Sequence, residues 1–474
     1  MSTRLNSPIL HPNGRAAGAT ELNWCRAVVG GTGIAVLAIL SSVNPDMHIS
    51  RLKNAIHKLQ NLHPILRSRL HHNPSANTYS FVTTASLSIQ INHFNHSTTA
   101  QILQGGQNIS PLHLILEHEL NQNAWTGSST SFSTKTDVVF ASTYALPSAA
   151  RWVLVFRLHA AACDRTTAVS LLRELLTLMA VEDEGEREIT MNKGEISLAI
   201  EDLLPKGMAK KTLWARGVDM LSYSVNSLRL TNLKFKDAKS PRSTQVVRLL
   251  INPDDTHKIL TGCKAMGIKL CGALSAAGLI AAHSSKCQSD HHQKKKYGVV
   301  TLTDCRSILE PPLSDHHFGF YHSAILNTHT IKGGEKLWEL AKKMYTSFTS
   351  YKSYNRHLSD MADLNFLMCR AMESPGLTPS SSLRTCLMSV FEDTVVDESN
   401  DQRNQVGVED YMGCASAHGI APSIAIFDTV RDGGLDCICV YPWPLHSREQ
   451  MRELVDNMKC VLVDAGNNIV DAET

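Results

Sequence analysis

The stretch Arg151–Arg165, RWVLVFRLHAAACDR, places one histidine at the end of an apolar β run and one aspartate just ahead of an amphipathic helix. Side chains alternate along an extended chain, so Val153, Val155, Arg157 and His159 share one face of a strand Trp152–His159 and Leu154, Phe156 and Leu158 the other. His159, at the strand's end, is then positioned to reach into a cleft. A neutral imidazole near pH 7 is the side chain suited to take a proton from a hydroxyl or amine as it attacks a carbonyl, and such a base contributes about 10²–10⁴ in rate. His159 is therefore the candidate catalytic residue; the plainer alternative is a histidine that merely ends a buried strand. Asp164 reads as structural, capping or anchoring the helix Thr166–Ala180 and holding the loop's shape.

This stretch resembles the active-site motif of the chloramphenicol-acetyltransferase-like superfamily (BAHD acyltransferases, alcohol acetyltransferases and peptide-synthetase condensation domains), which reads HxxxD or HHxxxDG. Aligned on Asp164, the first histidine of the double form falls on His159, the second, the superfamily's base, on Ala160, and the glycine on Arg165. A shift of one residue turns a side chain to the opposite face of an extended strand, whereas a bulge at 160–163 turns it back. Both placements are compatible with the sequence.

Three further stretches are similar to superfamily motifs and stand in the same order. His63-Pro64-Ile65-Leu66-Arg67 matches an HPxLR segment after the first helix. Val299–Gly319 is similar to "vDxRxrl.ppl…yFGN", with Asp304, Arg306, Pro311, Pro312 and Gly319 in register and Phe320 at the terminal asparagine. Asp410-Tyr411-Met412-Gly413 stands where BAHD enzymes carry DFGWG. An Asp and an Arg two apart at a strand end can pair across lobes, and a glycine permits close backbone approach to a ligand; turn chemistry around Pro311-Pro312 is the alternative.

The resemblance, nearest to divergent plant-type members, implies an α/β protein: two chloramphenicol-acetyltransferase-like α/β sandwich lobes with a channel between them. It implies acyl transfer from an acyl-CoA to the hydroxyl or amine of a small-molecule acceptor, with His159 as base and Asp164, Asp304, Arg306, Gly319 and Asp410 as structural motif positions. Acyl-CoA would be a co-substrate and no other cofactor would be needed. The replaced base at Ala160 leaves two rivals: a non-catalytic ligand-binding descendant, and an enzyme performing condensation, cyclisation or isomerisation of a specialised metabolite.

The elements that must position these residues can be read from periodicity. Ser50–Leu62 has an apolar helical face behind a serine N-cap, and Pro64 should end it and begin an extended segment. Strands are expected at Tyr79–Thr83, Leu87–Ile91, Val138–Ser142 and Trp152–His159, and a helix at Leu112–Leu120. The acidic run Glu182, Asp183, Glu184, Glu186 and Glu188 cannot bury itself and marks an exposed connection. We therefore expect an N-terminal lobe at 1–181, a crossover linker at 182–243 containing a helix Thr212–Leu230, and a C-terminal lobe at 244–474. That lobe should hold strands Gln245–Ile251, Tyr297–Leu302, Ile424–Thr429 and Asp436–Tyr441. Its helices should be Asp254–Met266, Gly272–His283, Glu335–Tyr351 and Ser447–Val463, with a loop at Pro375–Ser382.

Composition excludes several other functions. The 474 residues carry 46 basic and 44 acidic side chains, so no electrostatic footprint for nucleic acid exists, and Lys294–Lys296 reads as a solvated loop. The 12 cysteines include no CxxC pair, and Cys437 and Cys439 lie in an apolar run, which suits buried free thiols in a reducing compartment. His316, His317 and His322 lack metal-ligand spacing, so no metal is expected. The Gly30-Gly31-Thr32-Gly33 run lacks the context of a dinucleotide loop and reads as a Gly-kinked strand. There is no GxSxG elbow. The apolar segment Ala27–Val43 is broken by glycines, so neither a signal peptide nor a membrane span is expected. The expectation is a cytoplasmic monomer whose partners are its acceptor and acyl-CoA, with no membrane or nucleic-acid partner.

Overall fold

The computed structural model describes residues 14–42, 45–84, 89–106, 108–126, 135–147, 151–180, 195–208, 230–284, 294–365 and 384–473. The acidic run at 182–188, the expected helix at 212–230 except its last residue, the loop at 375–382 and the start of the expected strand at 87–91 lie outside them.

Strand Trp152–His159 is the centre of a five-stranded sheet. The sheet runs Val408–Ala417, Thr32–Ser41, Trp152–His159, Val139–Ala145, Ile91–Phe94, antiparallel except for the last pair. Residues 153–156 are buried on both faces, which is why they read as an unbroken apolar run rather than an alternation. Helices Pro45–Leu62, Pro111–Leu120 and Arg165–Ala180 supply apolar side chains to the same core. The edge strand Val408–Ala417 comes from the far half of the chain, inside the range expected to form the C-terminal lobe.

The second large sheet, seven strands in all, runs His322–Ile331, Lys295–Asp304, Met388–Phe391, Ile424–Arg431, Gly434–Trp443, Ser243–Ile251. Val395–Asp397 pairs beside Ile424–Arg431. Helix Leu270–Ser284 is almost wholly buried behind it, and the end of the Met388 side chain packs into the space that a Cβ on Gly278 would fill. Helices Pro253–Met266, Leu337–Ser353 and Arg448–Glu473 share this core. A small sheet, Gly14–Ala16, Thr78–Thr83, Ser68–Asn73 and Lys135–Asp137, flanks the first. Among the described residues no single helix is long and apolar enough to cross a membrane.

Local chemistry moves several expected boundaries. The first long helix begins at Pro45, not Ser50, and Pro64 opens a 3-10 turn, Pro64–Arg67, because proline's fixed φ suits a first helical position. The glycine run is a kinked strand only in its last residue. Gly30 closes helix Ala19–Val29, Gly31, at φ +89°, turns the chain, and Gly33, at φ +93°, lies inside strand Thr32–Ser41 beside a shift in its pairing with Val408–Ala417.

Candidate functional site

His159 turns into the core and lines neither of the two cavities described below. The pairing of Trp152–His159 with Thr32–Ser41 runs without a bulge to Ile34 opposite His159, so strict alternation holds to the last residue. The imidazole meets the edge of the Trp125 ring at 5.1 Å between centroids and is 1% exposed. Its Nδ1 accepts the Ala161 N–H at 3.0 Å. In a neutral imidazole only one ring nitrogen has a free lone pair, and here that lone pair is taken up inside its own turn. Burial also pushes the group down to about 3. The expectation that His159 is a channel-facing base is therefore overturned: this histidine ends a buried strand and shapes the following 3-10 turn, Ala160–Ala162.

Asp164 is the joint between the two halves. Its Oδ1 accepts the Thr167 N–H at 2.8 Å, capping helix Arg165–Ala180, while Oδ2 accepts the Tyr321 N–H at 2.8 Å. The Arg306 guanidinium grips both carboxylate oxygens, at 3.0 Å and 2.9 Å, with each partner almost wholly buried. Burial alone would push this carboxyl up, but Arg306 and His322 outweigh it and hold Asp164 well below the ordinary carboxylate range. Arg306 also bonds Asp304, whose Oδ2 accepts from Thr166 at 2.7 Å.

Gly319 brings its backbone against the other lobe. Its carbonyl accepts from Asp164 N and Thr167 Oγ1, and its N–H donates to Thr167 Oγ1. A Cβ there would lie 2.8 Å from the Tyr321 ring. Asp410 takes a two-pronged bond from Arg248 at 2.6 and 2.9 Å, and Arg431 approaches to 2.8 Å. It thus ties its strand in the first sheet to strand Ser243–Ile251 in the second. His63 and His316 converge on Glu174 at 2.6 and 2.7 Å, and His317 bonds Ser314, so the neighbouring histidines 316 and 317 diverge.

Beside this joint lies an apolar chamber of about 200 Å³, walled by Trp24, Leu158 and Leu172 from one half and Phe320, Phe391 and Phe427 from the other. Ala160 lines it, its Cβ close to Gly33. Arg165 lines it too, but its guanidinium is committed to Asp428 and the Asp393 carbonyl and lies over the Phe391 ring at 4.4 Å. A second cavity of about 240 Å³ has a more polar wall, including Arg173, Asp304, Asp315 and Thr394.

His322 lines both cavities. Its Nδ1 lies 3.1 Å from Asp164 Oδ2. Sequence reasoning weighed this residue only as a metal ligand. The available signal was its place just behind Gly319, at the end of the second matched stretch.

No protein-family model matches the chain, and no curated protein sequence matches it. Solved structures do. A trichothecene 15-O-acetyltransferase from Fusarium sporotrichioides superposes with a TM-score of 0.70 at 11% identity, over 96% of this chain and 95% of that one. The fold is that of the chloramphenicol-acetyltransferase-like proteins. Polyketide synthase associated protein 5 from Mycobacterium tuberculosis gives 0.63 at 15% identity, covering 95% of this chain and 97% of that one. The epimerization domain from the third module of tyrocidine synthetase B gives 0.62 at 12%, covering 96% and 98%. The fold of this chain thus carries the two lobes, and the chamber lies where they meet.

Proposed function

We propose that this chain is an acyltransferase that moves an acyl group from an acyl-CoA to the hydroxyl or amine of a small acceptor, as a divergent, plant-type member of the superfamily. The observation that carries the reading is the chamber: walled by aromatic and aliphatic side chains of both halves, it opens beside the motif aspartate and its arginine. An apolar wall holds the body of a hydrophobic acceptor and excludes water that would hydrolyse a thioester. The second, more polar cavity offers room for the other substrate. Acyl-CoA is the sole co-substrate, no metal is required, and the protein works as a cytoplasmic monomer in specialised metabolism.

The test is thiol release from acyl-CoAs by the purified chain with a panel of small alcohols and amines. Acceptor-dependent release supports the reading. A second reading is favoured by one observation: Ala160 lines the chamber where the superfamily places its base. On that reading the chamber binds an apolar ligand without acyl transfer, and the same panel would give binding of apolar ligands with no thiol release.

A further inference from the structure

We propose that His322 is the general base of this acyl transfer, supplied by the second lobe in place of the motif histidine and oriented by Asp164. This rests on the acyl-transfer reading and adds to it the residue that removes the proton.

Geometry supports the assignment. The Asp164 carboxylate, held ionised by Arg306, can only accept hydrogen bonds, so the His322 nitrogen facing it, Nδ1, must carry the ring's proton. In the neutral ring this leaves the lone pair on Nε2, which hydrogen-bonds no described residue while the ring forms part of the wall of both cavities. A base must reach an acceptor in one space and a thioester arriving from another, and His322 stands on that boundary. Phe391, edge-on at 5.9 Å between ring centroids, and Phe320, at 6.2 Å, limit its rotation. The charged groups around it are Asp164 on Nδ1, Arg306 behind Asp164, Arg165 and Arg173 on the walls of both cavities, Asp397 on the apolar one, and Asp304, Asp315 and Asp393 on the more polar one.

The step balances without a further reactant. Nε2 takes the acceptor's proton as its oxygen or nitrogen bonds to the thioester carbonyl carbon. The tetrahedral oxyanion then collapses, the C–S bond breaks, and the imidazolium returns the proton to the departing thiolate. The ester or amide and the free thiol leave; the imidazolium formed in between is stabilised by the ionised Asp164.

The experiment compares thiol release by the parent chain, His322→Gln and His322→Ala with the same acceptor panel. We expect a fall in kcat of about 10²–10⁴-fold with near-parental melting, loss of the acidic limb of the pH profile, and partial recovery of His322→Ala by added imidazole. Parent turnover that persists in His322→Gln with an unchanged pH profile overturns the base assignment and leaves acyl transfer standing. A parent inert with every pair overturns acyl transfer and the base with it. Should the variants fail to fold, diethyl pyrocarbonate on the parent decides. Carbethoxylation of His322 that tracks loss of turnover supports the proposal, and full modification without loss overturns it.

Discussion

Two histidines, one sealed in the core and one in the chamber wall, differ in what makes an imidazole useful. His159 ends a strand whose register is unbroken, so its ring is sealed against Trp125 and its lone pair serves the Ala161 N–H. His322 opens a strand in the other sheet, meets a carboxylate through Nδ1, and forms part of two cavity walls. Motif position favours the first; hydrogen bonding and access favour the second. A base is defined by which nitrogen is left free and what space it faces, and neither is a property of one residue's neighbours in sequence.

The largest expected effect breaks the support on which His322 depends. Arg306→Met should lower stability by about 3–5 kcal/mol, because Asp164 is left as a buried carboxylate without its main counter-charge. Asp164→Ala should fall in the same range rather than the ~1 kcal/mol of a lost cap, since it strands Arg306 as well. Chemical denaturation of both variants measures this; a loss near 1 kcal/mol for either would show the pair to be a minor contributor.

His159→Ala should act on stability alone. Removing a buried ring that packs on Trp125 should cost about 2 kcal/mol while acceptor-dependent turnover persists. A stable variant without turnover would reverse the comparison between the two histidines.

Ala160→His tests whether the chamber accepts a base from the motif position. In a His322→Gln background it should raise turnover by about tenfold, because Ala160 is part of the chamber's lining. Gly33 and Trp24 crowd that wall, so a substitution that fails to raise turnover while melting normally would show that Ala160 cannot present a productive imidazole.

The acid response is read last, because it spreads over several buried histidines rather than testing one. Burial pushes His159 down to about 3, and His329, His357, His418 and His446 to about 4. These rings are neutral when folded and take up a proton when unfolded, so stability is complete above the unfolded value of about 6.5 and declines as pH falls toward those folded values. Asp164, depressed in its own range, adds to the loss only below about pH 4. Melting temperatures between about pH 7 and pH 5 should therefore fall, and by less in His159→Gln measured against its own neutral value.

Much of the framework was legible in the chain itself. Strand Trp152–His159 has the bounds its apolar run implied, and helix Arg165–Ala180 starts one residue before the expected one, because short-range periodicity and a capping aspartate set both. The Asp304-x-Arg306 pair and Gly319 could be singled out as motif positions, although the surface that Gly319 meets could not. Tertiary structure decided the rest. Val408–Ala417 joins the first sheet because the edge of Thr32–Ser41 needs a hydrogen-bonding partner, a demand met from hundreds of residues away. The orientation of His159 was set by strand register, and the partner of His322 by a carboxylate that reaches it only once the two lobes are docked. Alternation and capping are local and are written along the chain; the free nitrogen of an imidazole depends on which distant group takes the other one.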